Sequence, residues 1–456
     1  MTKRSDVLLE KIRLGTPMTN MEKLNLIIGL SVPSMLAQIT NVLMFFIDAS
    51  MVGHLGAEAS ASIGLVESTI WLMGSVMGAV SMGFSVQVAH FIGANDFFRA
   101  RQVFRHALIF GGVFSIFMCL IGVAIHGPLP FWLGGGSDIA ANSSRYFLIY
   151  SLTLPFVMLF HLTSSMLKSS GNMHVPSVLI IMMCALDVAF NYVFIYILHL
   201  GVMGAALGTA AAYIAISVPM AWMATCRSKI LTLSLDSIPF KWVWSYVRNA
   251  LKISLPMAVQ SVLMSGAQVV STLIVAPLGN IAIASNSFAI TAESLCYMPG
   301  YGIGDAATTL VGQTHGANRP DLCKSFAYMT VGIGMLIMAL MGVVMYIFAP
   351  EMIGLLSPVE EIRALGTQVL RIEAFAEPFF AASIVTYGVC VGAGDTLKPA
   401  IMNFFSMWCV RLTMAAMLAP HYGLKGVWIA MAVELTFRGI LFLIRLFRGK
   451  WLLSMK

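Results

Sequence analysis

Charge is what this chain has least of. Lys, Arg, Asp and Glu make up 10% of its 456 residues, against about 25% in soluble globular proteins, and the mean hydropathy is +0.86. So few charges cannot clothe a water-facing surface, which excludes a soluble domain. Cysteine is also sparse. Cys119, Cys184, Cys226, Cys296, Cys323, Cys390 and Cys409 show no CxxC or metal-type spacing and read as small buried apolar residues. A GxxxxGK[ST] phosphate loop is missing, as are HExxH and GxSxG. The chain is therefore expected to be no enzyme and to use no cofactor, and any uphill work it does must draw on an ion gradient. No signal-peptide cleavage pattern stands out, and the first apolar run is too long for an h-region.

What is present is apolar sequence in runs long enough to cross about 30 Å of hydrocarbon as helices. These lie near 24–47, 66–92, 104–126, 147–168, 174–199, 203–225, 249–277, 282–314, 325–349, 370–392, 398–420 and 424–446. The expected fold is an all-α integral membrane protein of twelve transmembrane helices. Lys and Arg test that count, because they collect in cytoplasmic connections. With a cytoplasmic N-terminus, Arg145, Arg363, Arg371 and Lys425 fall outside, Arg411 and Arg438 fall within spans, and the rest of the 27 basic residues fall inside. The net charge of +7 thus follows from topology, and no nucleic-acid partner is needed to explain it.

The second half repeats the first at one offset of 223 residues. Ser31 and Pro33 fall on Ser254 and Pro256, Leu55-Gly56 on Leu278-Gly279, and Gly93-Ala94-Asn95 on Gly316-Ala317-Asn318. Pro155-Phe156 fall on Pro378-Phe379, Gly171 on Gly394 and Pro176 on Pro399, without a net insertion. Internal repeats in an apolar chain mark secondary transporters. The repeat divides the chain into a cytoplasmic segment (1–23), a six-helix bundle (24–225), a cytoplasmic connection (226–248), a second six-helix bundle (249–446) and a cytoplasmic tail (447–456). Six spans per repeat is an even number, so the bundles share one orientation and a pseudo-twofold axis along the membrane normal is expected. Trp242, Trp244 and Tyr246 in the connection suit a helix lying in the interface.

Ionised groups inside a bilayer are costly, so intramembrane acids are functional candidates by default. The repeat sharpens that rule. A scaffold residue should recur 223 positions on, whereas a coupling residue need not. Asp48 maps onto Ser271 and Asp187 onto Val410, so both acids belong to the first half alone. Asn41 lies seven residues before Asp48 and Asn191 four after Asp187, on the same helix faces. Thr209 sits in GVMGAALGTAAAY, a run of small residues that permits close helix approach. In the second half Glu293 maps onto Ile70 and precedes Pro299, where a break or bend is expected. Glu434 and Arg438, one turn apart, read as a structural pair, and Arg411 as a partner of Glu373 or Glu377. The 33 methionines read mainly as packing.

The chain resembles the multidrug and toxin extrusion (MATE) family of antiporters across residues 20–446. The resemblance rests on LSVPSMLAQITNVLMFFIDASMVGHLG at 30–56, VAHFIGAND at 88–96, MLKSSGNMHVPS at 166–177, LDVAFNYVFIY at 186–196 and GVMGAALGTAA at 201–211. In the second half it rests on IVAPLGNIAIASNS at 274–287 and ESLCYMPGYGIGDAATTLVGQTHGAN at 293–318. It implies two bundles that export cationic amphipathic compounds against entry of H⁺ or Na⁺. The family's first- and fifth-span acids fall on Asp48 and Asp187, the expected coupling site and the position of any bound Na⁺. Thr209 matches a polar position of span six, and Asn41 and Asn191 are expected helpers. Met183 and Met44 stand where relatives carry Asn and Tyr, and Met264 where other branches carry a seventh-span Glu. Glu293 is the candidate in the second bundle, and Pro33 and Pro299 are expected hinges. The partners expected are small cationic molecules and the bilayer, with a monomeric protein in a bacterial cytoplasmic membrane and both termini inside. A flippase for a lipid-linked saccharide is the alternative, but it would want an Arg- or Lys-lined cavity for a pyrophosphate.

Overall fold

A chain in hydrocarbon must satisfy its backbone internally, and the apolar runs do so as helices. The structure, a computed structural model, describes residues 3–455. In order the α-helices are α1 (Lys3–Arg13), α2 (Asn20–Gly53), α3 (Ala57–Gly93), α4 (Phe97–Ile125), α5 (Leu129–Trp132), α6 (Ser137–Ser169), α7 (His174–Tyr192) and α8 (Gly201–Trp222). The second half holds α9 (Trp244–Val275), α10 (Asn280–Gly316), α11 (Pro320–Leu356), α12 (Glu360–Ala374), α13 (Glu377–Gly392), α14 (Leu397–Phe405), α15 (Leu412–Tyr422) and α16 (Leu424–Arg448). One-turn π segments follow α7 and α8 and join α14 to α15.

Ten helices, with α14 and α15 counted as one, are long and apolar enough to cross a membrane, and α12 with α13, bent by 59°, form an eleventh crossing. The remaining span is α10. Its 37 residues exceed the roughly 20 that a bilayer needs, although Ser, Thr, Asn and Gly dilute its apolar content. The architecture is therefore the all-α one of twelve membrane helices in two repeats. Val113, Ile116, Phe117 and Leu120 of α4 are exposed, as are Leu336, Leu340, Val343 and Ile347 of α11. Those faces suit lipid rather than water.

The residues that recur at 223 are mostly those that shape helix ends. Gly56 and Gly279 both have positive φ, at 109° and 102°, and both precede a helix. Asn95 and Asn318 both take the left-handed conformation, at 59° and 54°, just after α3 and α10. The first long helix, α2, starts with a capping box. Thr19 N donates to Glu22 Oε2 at 3.0 Å, and Glu22 N donates to Thr19 Oγ1 at 3.2 Å, which satisfies two exposed helix-start amides at once.

Two compact units emerge, one of residues 3–6 and 40–258, the other of residues 7–39 and 259 onward. The bundle limits of 24–225 and 249–446 follow the repeat, whereas the units change over inside α2, after Ile39, and inside α9, after Ala258. Glycines allow this. A Cβ on Gly302 of α10 would lie 2.6 Å from the backbone N of Met35. One on Gly83 of α3 would lie 2.4 Å from the carbonyl oxygen of Ala250. The first part of each repeat's opening helix thus packs closely on a helix of the other repeat. Within the first unit α6 packs on α3, α4 and α8, and within the second α13 packs on α10, α11 and α16.

The expected break at Pro299 is not there: helix α10 runs through it, because one missing amide costs little where Pro299 and Gly300 are buried against neighbours such as Met338; α2 likewise runs through Pro33. The interfacial helix over 226–248 does not form. Between the end of the π segment at Arg227 and the start of α9 at Trp244 the described chain has a single 3₁₀ turn, at Leu233–Leu235. Pro239 opposes a helix there, and ion pairing fixes an irregular path instead. Arg101 Nη2 donates to Asp236 Oδ1 at 2.7 Å and Arg101 Nη1 to the Ile230 carbonyl at 3.1 Å. His106 accepts from Val243 N at 2.8 Å, with its ring 4.9 Å from Phe240 and 5.0 Å from Trp242. The aromatic residues of the connection therefore clamp it onto α4.

Candidate functional site

Asp187 and Asn191 share a face of α7 because they are four residues apart. Both are buried, at 1% and 2% exposure. Close approach of α8 makes this possible: a Cβ on Gly208 would lie 1.9 Å from Asn191 Oδ1. The small residues of GVMGAALGTAA are thus used for packing against α7, and a Cβ on Gly204 would likewise press on the Phe194 carbonyl at 2.7 Å. Thr209, next to Gly208, is thereby carried close enough to interact with Asp187.

Helix α2 brings the second acid. Asn191 Nδ2 donates to Asp48 Oδ1 at 3.0 Å and to Asp187 Oδ2 at 3.3 Å. The two carboxyls also stand within hydrogen-bonding range of each other. Like charges this close do not coexist cheaply. Two unit charges about 4 Å apart repel by about 4 kcal/mol at an effective dielectric near 20, and a proton or metal cation between them removes that repulsion. Among the described residues, Asp187 Oδ1 and Asn191 Oδ1 have no hydrogen-bond partner. The donors on offer are carboxylate, amide and hydroxyl oxygens, a hard set that suits H⁺ or Na⁺ and not a soft metal.

The pair lies beside a cavity of about 300 Å³ within the first unit. Asp48, Asn191 and Thr209 line it, whereas Asp187 lies behind them. Its walls are aromatic: Phe45, Trp71, Tyr146, Tyr150 and Tyr213 all contribute, with the Phe45 and Trp71 rings 4.7 Å apart. Electron-rich ring faces and acids together favour cations.

Of the residues singled out in the sequence, Asp48, Asp187, Asn191 and Thr209 converge. Asn41 does not join them; its Oδ1 accepts from Cys184 Sγ at 3.5 Å, further along the α2–α7 contact. Glu293 belongs to the second unit, buried in α10. Glu434 and Arg438 form the expected pair at 2.8 Å, and Ser406 Oγ donates to Glu434 Oε1 at 2.5 Å. Arg411 interacts electrostatically with Glu293, Glu373 and Glu434. One acid of the cavity was not singled out, Glu67 of α3, which is exposed to the cavity and accepts from Trp71 Nε1 at 3.4 Å. Its signal was available: Glu67 maps onto Ile290 at the 223 offset, so it too is an acid of the first half alone.

Comparison with known proteins agrees with this picture. The MatE family profile matches residues 33–193 and again 256–417, one match per repeat. A relative from Thermotoga maritima described as "Probable multidrug resistance protein NorM" is 25% identical over 434 residues, covering 93% of this chain and 92% of its own. The Bacillus subtilis "Uncharacterized transporter YisQ" is also 25% identical, over 406 residues, covering 86% of this chain and 88% of its own. Among solved structures, a crystal structure of MATE in complex with MaL6 superposes with a TM-score of 0.90 at 20% identity, covering 99% of this chain and 100% of that one.

Proposed function

The chain belongs to the MatE family, and from that premise we propose that it is a multidrug exporter that exchanges cationic amphipathic compounds for H⁺ or Na⁺ by alternating access. The observation that carries the reading is the Asp48–Asn191–Asp187 bridge at the edge of an aromatic cavity. A cation loaded between the two acids neutralises the charge that Asp48 presents to the cavity. The cavity then holds a cationic substrate less well, and ion entry is exchanged for substrate exit.

Depth supports the direction. With both termini cytoplasmic, α2 runs outward and α3, α6 and α8 run inward. The lining residues at 44–52, 60–74, 146–150 and 205–209 then fall in the outer half of their helices, with Tyr213 just past the middle of α8, so the cavity serves substrate release to the outside. On this reading the protein works in a bacterial cytoplasmic membrane as a monomer. Its lining includes Asp48 and Glu67 but neither Lys nor Arg, which suits a cation and opposes the pyrophosphate of a lipid-linked saccharide.

The stoichiometry has an energetic limit. One H⁺ exchanged for one monovalent cation moves no net charge, so one pH unit supports about tenfold accumulation, about 1.4 kcal/mol. A second ion per cycle would add about 2.3 kcal/mol per 100 mV. The test is reconstitution of wild type, Asp48→Asn and Asp187→Asn into liposomes with Na⁺ and pH gradients imposed separately. Export of a fluorescent cation should fail in both variants. Export that persists in both sinks the site.

A further inference from the structure

Helix α4 holds an imidazole that the exchange just described does not use. His106 is fully buried, yet both of its ring nitrogens are engaged. Nδ1 lies 2.6 Å from the carbonyl oxygen of Gln102, one turn back. Nε2 lies 2.8 Å from the backbone N of Val243, which donates to it. A carbonyl can only accept and a backbone amide can only donate, so Nδ1 carries the proton and Nε2 the lone pair. Only the neutral ring makes both bonds at once.

The repeat sets this bond apart from the shared scaffold. At the 223 offset His106 falls on Met329, which has no ring nitrogen, and Val243 on Asn20. Val243 is the last residue before α9 starts at Trp244, so the bond fixes where the opening helix of the second repeat begins. The cover over the ring is thin. Phe240, Trp242 and Val243 are 39%, 46% and 40% exposed, so a small opening of the connection admits water to the imidazole.

A proton added at Nε2 turns the acceptor into a donor that faces another donor, and the Val243 bond is lost. The cation itself has somewhere to sit. The Phe240 and Trp242 rings lie 4.9 and 5.0 Å from the imidazole, with Tyr246 edge-on at 5.1 Å, inside the roughly 6 Å at which aromatic rings attract a cation. The freed Val243 amide can turn to water, since the residue is half-exposed. The charged and titratable groups of the neighbouring elements are Arg101 and Arg105 of α4, Asp236 and Lys241 of the connection, and Tyr246 of α9, which senses Arg99 and Asp96. Helices α3 and α6, which pack on α4, bring His90 and Lys168 to the same end of the unit. Asp236 is held by Arg101 and Asp96 by Arg99, so neither acid offers the ring an ion-pair partner in place of Val243.

We infer that His106 is a proton-operated latch on the connection between the repeats: neutral, it pins Val243 and the start of α9 to α4, and protonated, it lets that segment go. Imidazole changes charge between about pH 5 and 8, and the sign follows from the bonds. The latch holds at the alkaline end of that range and releases at the acid end. On the topology proposed above it faces the cytoplasm and reports cytoplasmic pH; that assignment rests on the exporter reading, whereas the release of Val243 does not. The experiment is hydrogen exchange read by mass spectrometry on the purified full-length protein in detergent, at about pH 8 and about pH 5.5, with each rate corrected for the intrinsic pH dependence. Protection of residues 241–246 should fall roughly tenfold or more at the lower pH, while the rest of α4 and α9 stays protected. His106→Gln keeps a side-chain acceptor for Val243 but does not titrate, so it should keep its protection at both pH values. A readout on the wild type guards against a misfolded variant: imidazole ¹⁵N NMR should show one ring in the Nδ1–H tautomer that gains its second proton at the same midpoint as the loss of protection. The proposal is overturned if protection of 241–246 does not change with pH, if it falls equally in folded His106→Gln, if the two midpoints differ, or if the loosening spreads evenly over all helices. Persistent export by the Asp48 and Asp187 variants would overturn the exchange reading while leaving this result standing.

Discussion

Asn191 donates one amide group to two acids, Asp48 at 3.0 Å and Asp187 at 3.3 Å. The amide is therefore the hinge of the pair, holding two carboxyls from different helices in one geometry. Asn191→Leu removes the bridge and keeps the bulk. Export driven by an ion gradient should fall at least tenfold, with the protein still monodisperse in detergent. Asn191→Asp should be as defective, since a third acid joins two that already repel. Efflux from proteoliposomes is the measurement, and near-normal export by Asn191→Leu would show that the bridge is dispensable.

Gly208 is the packing counterpart of that bridge. Its added Cβ would lie 1.9 Å from Asn191 Oδ1 and 2.9 Å from Asn191 N, so the α7–α8 contact must open. Overpacking of this kind typically costs about 1–3 kcal/mol. Gly208→Ala should lower the melting temperature and export together. Gly78→Ala of α3, where a Cβ would meet nothing within 4 Å, is the matched control and should do neither.

Glu67 offers a cleaner separation of binding from coupling. It is exposed to the cavity and accepts a hydrogen bond from Trp71, so Glu67→Gln should leave stability and ion dependence alone. Loss of one partly solvated charge is worth up to about 1 kcal/mol, or roughly a fivefold rise in KM for a cationic substrate. KM for an uncharged substrate should not move. Equal effects on both would assign Glu67 a packing role beside Trp71.

Much of this site is legible in the sequence because an acid in an apolar span is conspicuous, and because Asp48 and Asp187 fail to recur at 223. Asn191 follows from helical spacing, and Thr209 from the run of small residues around it and the family resemblance. Asn41 does not, since a spacing of seven names a helix face but not the neighbour that meets it, and here that neighbour is Cys184. Glu67 was hidden by its place in ASASIGLVEST, where the apolar run of α3 is only beginning. The connection at 228–243 carries Phe240 and Trp242, while Trp244 and Tyr246 already belong to α9; the clamp on His106 depends on which loop meets α4, and no local pattern encodes that.

That clamp makes a prediction on the cytoplasmic side. Asp236 and Arg101 have side-chain exposures of 4% and 13%, and Arg101 reaches both carboxylate oxygens. Removing one partner of such a buried pair costs about 3–5 kcal/mol, because the other is left uncompensated. Asp236→Ala and Arg101→Ala should each lower the melting temperature by several degrees while leaving the choice of coupling ion as in wild type. A double variant no less stable than either single one would confirm that the two residues act through each other.

The Glu434–Arg438 pair puts the same physics in the membrane, where it has a sharper outcome. Glu434 is fully buried, Arg438 is 7% exposed, and Ser406 adds its hydroxyl to the carboxylate. Glu434→Gln takes the counter-charge from Arg438, whose guanidinium lies 5.8 Å from the face of Phe380. Loss of stability near 3 kcal/mol is expected. Replacing both residues together, Glu434→Leu with Arg438→Met, removes the charges and roughly keeps the volume, so most of that loss should be regained, as in buried pairs exchanged for apolar side chains. If the pair is structural, the double variant exports with wild-type ion dependence. If it exports poorly although as stable as wild type, Arg438 or Glu434 carries charge for transport, and the division between scaffold and coupling residues moves into span twelve.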